Sequence, residues 1–274
     1  MSQSDQTVLS FTNLEKDGRI AHLTLNRPEQ ANAFSAQMMD EITRHATALS
    51  TMTDIRTVII SGAGKHFSAG ADLAWMKQAA DLTYEQNIED ATKLRKMFES
   101  IIAIDAPKVA VIRGAVYGGA VGLVACCDFA IADENSKFCL SEAKLGLLPA
   151  VIAPYLMRKM NPGQLRRMAL TSRAFDVNDA KQFGLIEIVT SELDDAVYDE
   201  VKSLLGCGPE AQKAINRLFE SLRAKSFAQC DETVQAIAKA RTGREGQEGL
   251  RSFFSKSTAP WVRSVKHADI QEKL

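Results

Sequence analysis

The sequence predicts an α/β domain followed by a helical C-terminal region. Short apolar runs with the composition of strands alternate with amphipathic stretches as far as about residue 190, and only helical periodicity follows. A chain of 274 residues, of which 46% are hydrophobic and 24% charged, can bury a substantial core. We therefore expect a core domain over residues 1–191 and a helical region over residues 192–274.

The first elements are predicted to be a hairpin and a helix. The apolar runs Val8–Leu14 and Arg19–Leu25 flank Lys16-Asp17-Gly18, a sequence typical of a tight turn between antiparallel strands. Ser35 is a helix-capping residue type, and apolar residues follow it at helical spacing as far as about Leu49.

The middle of the chain alternates strands with helices. A long helix is expected over residues 84–104, where apolar residues fall on one face, and a short one over Leu123–Cys127. The tail from about 192 to 256 is predicted to be helical, with Pro209 in a first turn. The predicted strands are Arg56–Ile60, Lys108–Ile112, Phe129–Ala132, Lys137–Leu140 and Gly184–Val189.

Composition excludes several classes of protein. Lys and Arg total 33 and Asp and Glu total 34, so a net charge of -1 gives no general electrostatic case for binding nucleic acid or an anionic membrane. The longest apolar stretches are well short of the roughly 20 residues of a spanning helix, and the N-terminus lacks the pattern of a secretory signal. Five cysteines without a C-x-x-C pair, and four histidines without metal-ligand spacing, predict a cytoplasmic protein without disulfides or a metal.

The glycine-rich segment Gly114–Gly122 follows a predicted strand and opens a helix. A phosphate-binding loop needs lysine where Ala120 stands, and the glycine spacing does not fit the dinucleotide fingerprint, so both nucleotide-binding classes are rejected. Two interpretations remain. The glycines allow close helix packing, or free amides at the helix start stabilise negative charge on a ligand oxygen.

Two other segments contain residues suited to catalysis. His66-Phe-Ser-Ala-Gly70 approaches the nucleophile elbow, but His66 stands where that sharp turn requires glycine, which argues against a serine hydrolase. The small residues that follow, as far as Leu73, either let the backbone approach a ligand or form a turn in which Asp72 caps a helix. Glu142 ends a strand-like run, where a carboxylate is either a solvated capping residue or a catalytic group.

Five segments, in order along nearly the whole chain, are together similar to one family. They are Leu25–Pro28 with Asn32-Ala33, His66–Leu73, Gly114–Leu123 with Cys127-Asp128, Phe138–Pro149, and Phe183–Leu185. The pattern resembles the crotonase (enoyl-CoA hydratase/isomerase) superfamily. Within it, His66–Met76 and Phe138–Tyr155 are most similar to bacterial 3-methylglutaconyl-CoA and γ-carboxygeranoyl-CoA hydratases, which act in leucine and acyclic-terpene degradation.

The resemblance implies a fold and a class of substrate. The fold would be a spiral of repeated ββα units, with a helical C-terminal region that covers the active site and assembles the chain into trimers or dimers of trimers. The substrate would be an acyl-CoA thioester. No metal and no separate cofactor are implied, because coenzyme A arrives on the substrate.

The resemblance also implies roles for three catalytic residues. The backbone amides of Ala71 and Gly119 would hold the thioester oxygen as negative charge grows on it. Glu142 would deliver a proton to the α-carbon.

Further residues are implied to contact coenzyme A. Family members often carry a basic residue after Arg-Pro near the CoA phosphate, but Glu29 and Gln30 stand there, and Lys65 is expected to substitute. The residues implied to line the path of coenzyme A and the acyl group are Ser68, Ala69, Gly70, Asp72, Leu73, Gly118 and Gly122.

Gly122 is the largest departure from the family pattern. Standard hydratases pair two glutamates around a water, and the first of them would fall at position 122. Because glycine cannot exchange a proton, Glu142 would have to do both tasks. We hypothesise that Gly122 avoids charge repulsion with a substrate that carries its own distal carboxylate, and makes room for a branch.

The sequence therefore predicts a hydratase for enoyl-CoA, with a branched, carboxylated acyl group of the 3-methylglutaconyl type. An enoyl-CoA isomerase that uses Glu142 as its one proton shuttle is the second interpretation. Thioester hydrolysis and a non-catalytic acyl-CoA-binding or RNA-binding relative are the others.

Overall fold

The computed structural model describes residues 5–14, 17–79, 82–222 and 243–274, and these form two sheets surrounded by helices. The larger sheet has the strand order β1-β2-β3-β4-β6-β9, and the smaller has the order β5-β7-β8. The strands are β1 Thr7–Asn13, β2 Arg19–Leu25, β3 Ile55–Gly62, β4 Lys108–Ile112, β5 Ala115–Tyr117, β6 Phe129–Asp133, β7 Lys137–Cys139, β8 Phe175–Asp176 and β9 Ile188–Thr190.

The larger sheet is parallel apart from its first hairpin. Strands β1 and β2 pair antiparallel, as the sequence predicts, and every later neighbour in this sheet is parallel. All residues of β3 and β4 are buried. Even their polar residues Arg56, Thr57, Ser61 and Lys108 are buried, because a parallel sheet is covered on both faces.

Helices cover both faces of the larger sheet. On one side α1, capped by the Ser35 hydroxyl that accepts the amide of Met38, packs against α3. The described helices are α1 Ala36–Thr51, α2 Leu73–Ala79, α3 Tyr84–Ile102, α4 Gly119–Ala125, α5 Ala153–Lys159, α6 Pro162–Thr171, α7 Val177–Gln182, α8 Leu193–Leu205, α9 Pro209–Leu222, α10 Arg244–Ser255 and α11 His267–Gln271.

The other face of the larger sheet is covered by α8. Leu193, Val197 and Val201 form one apolar cluster with side chains of β3 and β4. The helical region therefore begins with a helix that belongs to the same core as the sheet. The predicted α/β architecture with helices toward the C-terminus is confirmed.

Two short strands and several boundaries differ from the sequence-based expectation, and the helix predicted through Leu123–Cys127 ends at Ala125. β5 and β8 are too short to show periodicity, and pairing with β7 defines them. The predicted strand Gly184–Val189 begins only at Ile188, because Gly184 turns with φ +84° after α7 and Leu185 donates its amide to the Ala180 carbonyl.

Part of the sequence prediction lies outside the described residues. This applies to 223–242 within the predicted helical tail, including Cys230. Among the helices that the structure describes, none has the length and apolar character to cross a membrane. Among the same residues, no group of three or more His, Cys, Asp or Glu side chains is placed to hold a metal ion.

Candidate active site

Strand β5 brings the predicted catalytic segments together. On one side of it, the amide of Ser68 donates to the Ala115 carbonyl, and the amide of Tyr117 donates to the Ser68 carbonyl. On its other side β5 pairs with β7, and the Gly118 amide donates to the Cys139 carbonyl. Because α4 follows β5 directly and Glu142 follows β7 closely, three sequence-distant segments converge here.

The amide of Ala71 is held in position by its neighbours. The Phe34 amide donates to the Gly70 carbonyl at 2.6 Å, and the Asp72 amide donates to the Phe34 carbonyl at 3.0 Å. Gly70 has φ +88°, and a Cβ on it would lie 2.5 Å from the Tyr117 carbonyl oxygen. The two flanking bonds leave the intervening Ala71 N–H without an acceptor among the described residues.

Asp72 fixes the same loop to α2 and to Arg27. Its carboxylate accepts the amides of Ala74 at 2.8 Å and Trp75 at 3.1 Å, and it pairs with the Arg27 guanidinium at 3.0 Å. Burial acts to raise the pKa of Asp72, but these hydrogen bonds and the positive charge of Arg27 outweigh it and lower the pKa. Asp72 therefore acts as the predicted helix cap.

The second predicted amide, that of Gly119, lies at the first residue of α4. It has no acceptor within the described part of the chain, as expected for the start of a helix. A Cβ on Gly119 would lie 3.3 Å from two ring carbons of Phe34. Phe34 therefore flanks Ala71 with its backbone and packs its ring against Gly119, which couples the two amides sterically.

Glu142 lies beside these amides. A Cβ on Gly118 would be 3.3 Å from Oε1 of Glu142, so the carboxyl group packs against the residue that precedes the Gly119 amide. The other oxygen, Oε2, is buried and has no hydrogen-bond partner among the described residues. Burial raises the pKa of Glu142 above the usual value for a glutamate. A pKa raised toward the operating pH suits a carboxyl group to proton exchange.

Ala71, Gly119 and Glu142 line one cavity of about 560 Å³, within the usual size of a small-molecule site. Its wall is mostly apolar, and part of it is exposed: Leu148 at the rim is 72% exposed. The larger apolar side chains of this wall are Phe34, Leu73, Trp75, Met76, Leu94, Leu145, Leu147, Leu148, Pro149, Val151 and Ile152.

The residues implied to contact coenzyme A and the acyl group fall into two sets. Ala69, Leu73 and Gly118 line the cavity. Four others are buried and do not line it: Ser68, Gly70, Asp72 and Gly122. The Ser68 hydroxyl accepts the Gly70 amide at 3.2 Å, so its side chain shapes the loop. Lys65 is exposed and does not line the cavity, and its contact with a CoA phosphate remains a prediction.

Gly122 does not open onto the cavity. A Cβ on it would overlap the Cγ2 methyl of Ile152 and lie 3.3 Å from the Phe98 ring. The space that a side chain at position 122 would enter is therefore filled by protein atoms. This differs from the sequence-based hypothesis that Gly122 leaves room for a branch of the substrate.

Sequence analysis missed several residues of the cavity wall. Phe34 follows the recognised Asn32-Ala33 signature, but an aromatic residue there gives no specific signal. Lys144 lies on the wall, and its ammonium group makes no ion pair or hydrogen bond with the described residues. Asp90 supplies a second carboxylate on the wall, and its Oδ1 accepts the Trp75 indole N–H at 3.1 Å.

Two free amides beside a half-buried carboxyl group in an apolar cavity are the arrangement of an enzyme that polarises a carbonyl and moves a proton next to it. A family model described as enoyl-CoA hydratase/isomerase matches residues 15–264. The probable enoyl-CoA hydratase echA8 of Mycobacterium bovis is 33% identical over 252 residues, which cover 89% of this chain and 94% of the relative.

Solved structures show the same similarity. An enoyl-CoA hydratase from Shewanella pealeana is 36% identical with a TM-score of 0.86, covering 92% of this chain and 95% of that one. AtuE of Pseudomonas aeruginosa is 31% identical with a TM-score of 0.87, covering 94% and 99% of the two chains. The chain belongs to the enoyl-CoA hydratase/isomerase family and has the crotonase fold, as the sequence motifs predict.

Proposed function

We propose that the protein adds water across the double bond of an enoyl-CoA thioester. The observation that carries this proposal is the convergence of the Ala71 and Gly119 amides with the raised-pKa carboxyl group of Glu142 in one cavity. If both amides bind the thioester oxygen, they stabilise the enolate that forms during hydration, and one such donor contributes about 3–4 kcal/mol in other enzymes.

One carboxyl group can complete the reaction. The Glu142 carboxylate accepts a proton from water as the water oxygen bonds to the β-carbon. The electron pair of the double bond moves toward the thioester, and the two amides hold the resulting enolate oxygen. Glu142 then returns the proton to the α-carbon, which regenerates the carboxylate and leaves one water added across the bond.

We propose further that the acyl group is branched and carries a distal carboxylate, as in 3-methylglutaconyl-CoA. Two features of the site support the distal carboxylate of this substrate. Lys144 places a positive charge, unpaired among the described residues, on a mostly apolar wall. Glycine at position 122 carries no charge, so Asp90 and Glu142 are the carboxylates of the described wall that a substrate carboxylate would meet, without a third at position 122. Such a substrate would fit a role in leucine degradation.

A turnover panel tests this function. The protein is incubated with branched, carboxylated and straight enoyl-CoAs, and products are identified by mass spectrometry. Hydration adds the mass of water, and we expect the carboxylated, branched substrate to react fastest. Much faster hydration of unbranched crotonyl-CoA would contradict the proposed substrate, and binding of acyl-CoA without any turnover would contradict the proposed enzyme.

Enoyl-CoA isomerisation is the second candidate, and Gly122 favours it. Moving a double bond requires one proton shuttle, which Glu142 can supply without a second carboxylate at position 122. The panel separates the two reactions, because isomerisation leaves the mass unchanged and hydration does not. Thioester hydrolysis would instead release a free thiol.

Assembly and location belong to the same proposal. We propose a homotrimer or a dimer of trimers in the cytoplasm, with the helical region contributing to assembly. Light scattering coupled to gel filtration measures the assembly directly, and a monomer at micromolar concentration would contradict it.

A further inference from the structure

The Ile152 side chain packs closely against the backbone of Gly122. Gly122 lies within α4 and is buried. A Cβ at this position would overlap the Cγ2 methyl of Ile152 and lie 2.8 Å from the Ile152 Cβ. Glycine is therefore the residue that allows the Ile152 side chain to lie directly against the α4 backbone.

Ile152 is held firmly in this place. It is 2% exposed, and its carbonyl accepts the amides of Tyr155 at 3.1 Å and Leu156 at 3.0 Å. The Phe98 ring, which a Cβ on Gly122 would also contact, packs against the Tyr155 ring with centroids 5.3 Å apart. Because close-packed interiors resist displacement, this part of the wall cannot easily retreat from a bulky ligand.

Ile152 also faces the cavity, close to the proposed oxyanion-binding amide. It lines the same wall as Gly119 and Glu142. Residues three apart on a helix share one face and lie roughly 5–6 Å apart, so the side of Gly122 that Ile152 contacts is one turn from Gly119. An acyl chain whose carbonyl oxygen meets the Gly119 amide would therefore place its first carbons near Ile152.

We propose that Ile152, seated against Gly122, is the specificity-determining residue that limits the size of the substituent near the thioester end of the acyl group. The proposal rests on the proposed function, which places a thioester carbonyl at Gly119. Gly122 makes room for Ile152, and the acyl group meets the methyl groups of Ile152. An apolar wall of fixed position would accept a small aliphatic branch and reject a larger one.

The test compares enoyl-CoAs with hydrogen, methyl, ethyl or isopropyl on carbon 3. The matched control for Ile152→Ala is Ile186→Ala, because Ile186 is 1% exposed in the same core but does not line the cavity. One methylene in an apolar pocket changes kcat/KM by roughly 10–200-fold. We expect Ile152→Ala to raise the ratio of kcat/KM for isopropyl over methyl by about tenfold or more, and Ile186→Ala to leave that ratio unchanged.

A second pair of variants tests the fit between the two residues. Gly122→Ala should push Ile152 into the cavity and lower kcat/KM for the methyl substrate. In the Ile152→Ala background the 2.3 Å overlap with Cγ2 is removed and only the 2.8 Å contact with Cβ remains, so the loss caused by Gly122→Ala should be smaller. If Ile152→Ala is not folded by circular dichroism, Ile152→Val replaces it, with a smaller shift of the same sign expected.

Dissociation constants of the saturated acyl-CoAs with the same substituents give a readout that needs no reaction. An unchanged isopropyl-to-methyl ratio in a folded Ile152 variant, in kcat/KM and in binding alike, would overturn the proposal. An equal loss from Gly122→Ala in both backgrounds would also overturn it. The proposed function fails separately, if the native protein hydrates none of the series, and in that case the binding ratios still test Ile152.

Discussion

Gly70→Ala is the substitution that most directly displaces the proposed oxyanion-binding site without removing a functional group. The new Cβ would lie 2.5 Å from the Tyr117 carbonyl oxygen, whereas Cβ atoms are essentially never found within 3.0 Å of another heavy atom. Either Gly70 or the Tyr117 carbonyl must therefore shift by about 0.5 Å. A shift of Gly70 displaces the adjacent Ala71 amide, and a shift of Tyr117 displaces the end of β5, which leads to the Gly119 amide.

The expected loss follows from that movement. Misplacing a reacting group by about 1 Å can cost 10²-fold, and loss of one oxyanion donor costs about 10²–10³-fold. We expect kcat to fall about 10²-fold, equivalent to about 2.7 kcal/mol of transition-state stabilisation. The substitution also places alanine at φ +88°, which lowers the free energy of unfolding by about 1–3 kcal/mol.

Gly184→Ala is the matched control for this strain. Gly184 has φ +84°, and its added Cβ would lie 2.8 Å from the Lys159 carbonyl oxygen, but it does not line the cavity of Glu142. Steady-state hydration and thermal unfolding are measured on both variants. Similar destabilisation with loss of kcat only in Gly70→Ala supports the role of Ala71. A kcat within about threefold of the native value in Gly70→Ala, or an equal loss in Gly184→Ala, would refute the reasoning.

Three further predictions concern the charged residues of the cavity. Burial raises the pKa of Glu142, so its ionisation destabilises the folded protein as the pH rises through that pKa. Glu142→Gln should therefore melt at a higher temperature than the native protein at about pH 8 and at the same temperature near about pH 4. Equal melting temperatures at both pH values would contradict this. Lys144→Met should raise KM about fivefold for a carboxylated acyl-CoA and leave KM for crotonyl-CoA unchanged, as expected for loss of an exposed ion pair between Lys144 and the substrate carboxylate. Equal effects on both substrates would show that Lys144 does not recognise the carboxylate. We expect Asp90 to act only by holding Trp75, so Asp90→Asn and Trp75→Phe should each lower kcat by less than about tenfold. A loss of about 10²-fold in Asp90→Asn alone would instead make Asp90 a second proton-transfer group.

Much of the fold could be predicted because its main elements have strong local signals. The hairpin Arg19–Leu25 with its partner, the helix capped by Ser35 and the buried strand Lys108–Ile112 all form as predicted. Strand β5 has only three residues and no periodicity, and it exists because it pairs with β7 and hydrogen-bonds to the Ser68 segment. Local sequence patterns do not show such pairing between distant segments.

Part of the candidate site could be predicted from sequence motifs, and part depends on packing between distant residues. Ala71, Gly119 and Glu142 were found through their motifs, and the structure places them around one cavity. The environment of Gly122 could not be predicted, because Ile152 is thirty residues away in the chain and only packing brings it to α4. Phe34 and Lys144 were missed because neither has a sequence signal that distinguishes it from an ordinary core or surface residue.

Glu142→Gln, assayed for both turnover and binding, tests the catalytic arrangement most directly. The amide is nearly the same size as the carboxyl group but cannot exchange a proton. The measurement is kcat for enoyl-CoA hydration together with the dissociation constant of a saturated acyl-CoA. The account predicts a fall in kcat of about 10²-fold or more with binding unchanged; turnover within a few-fold of the native enzyme would contradict it.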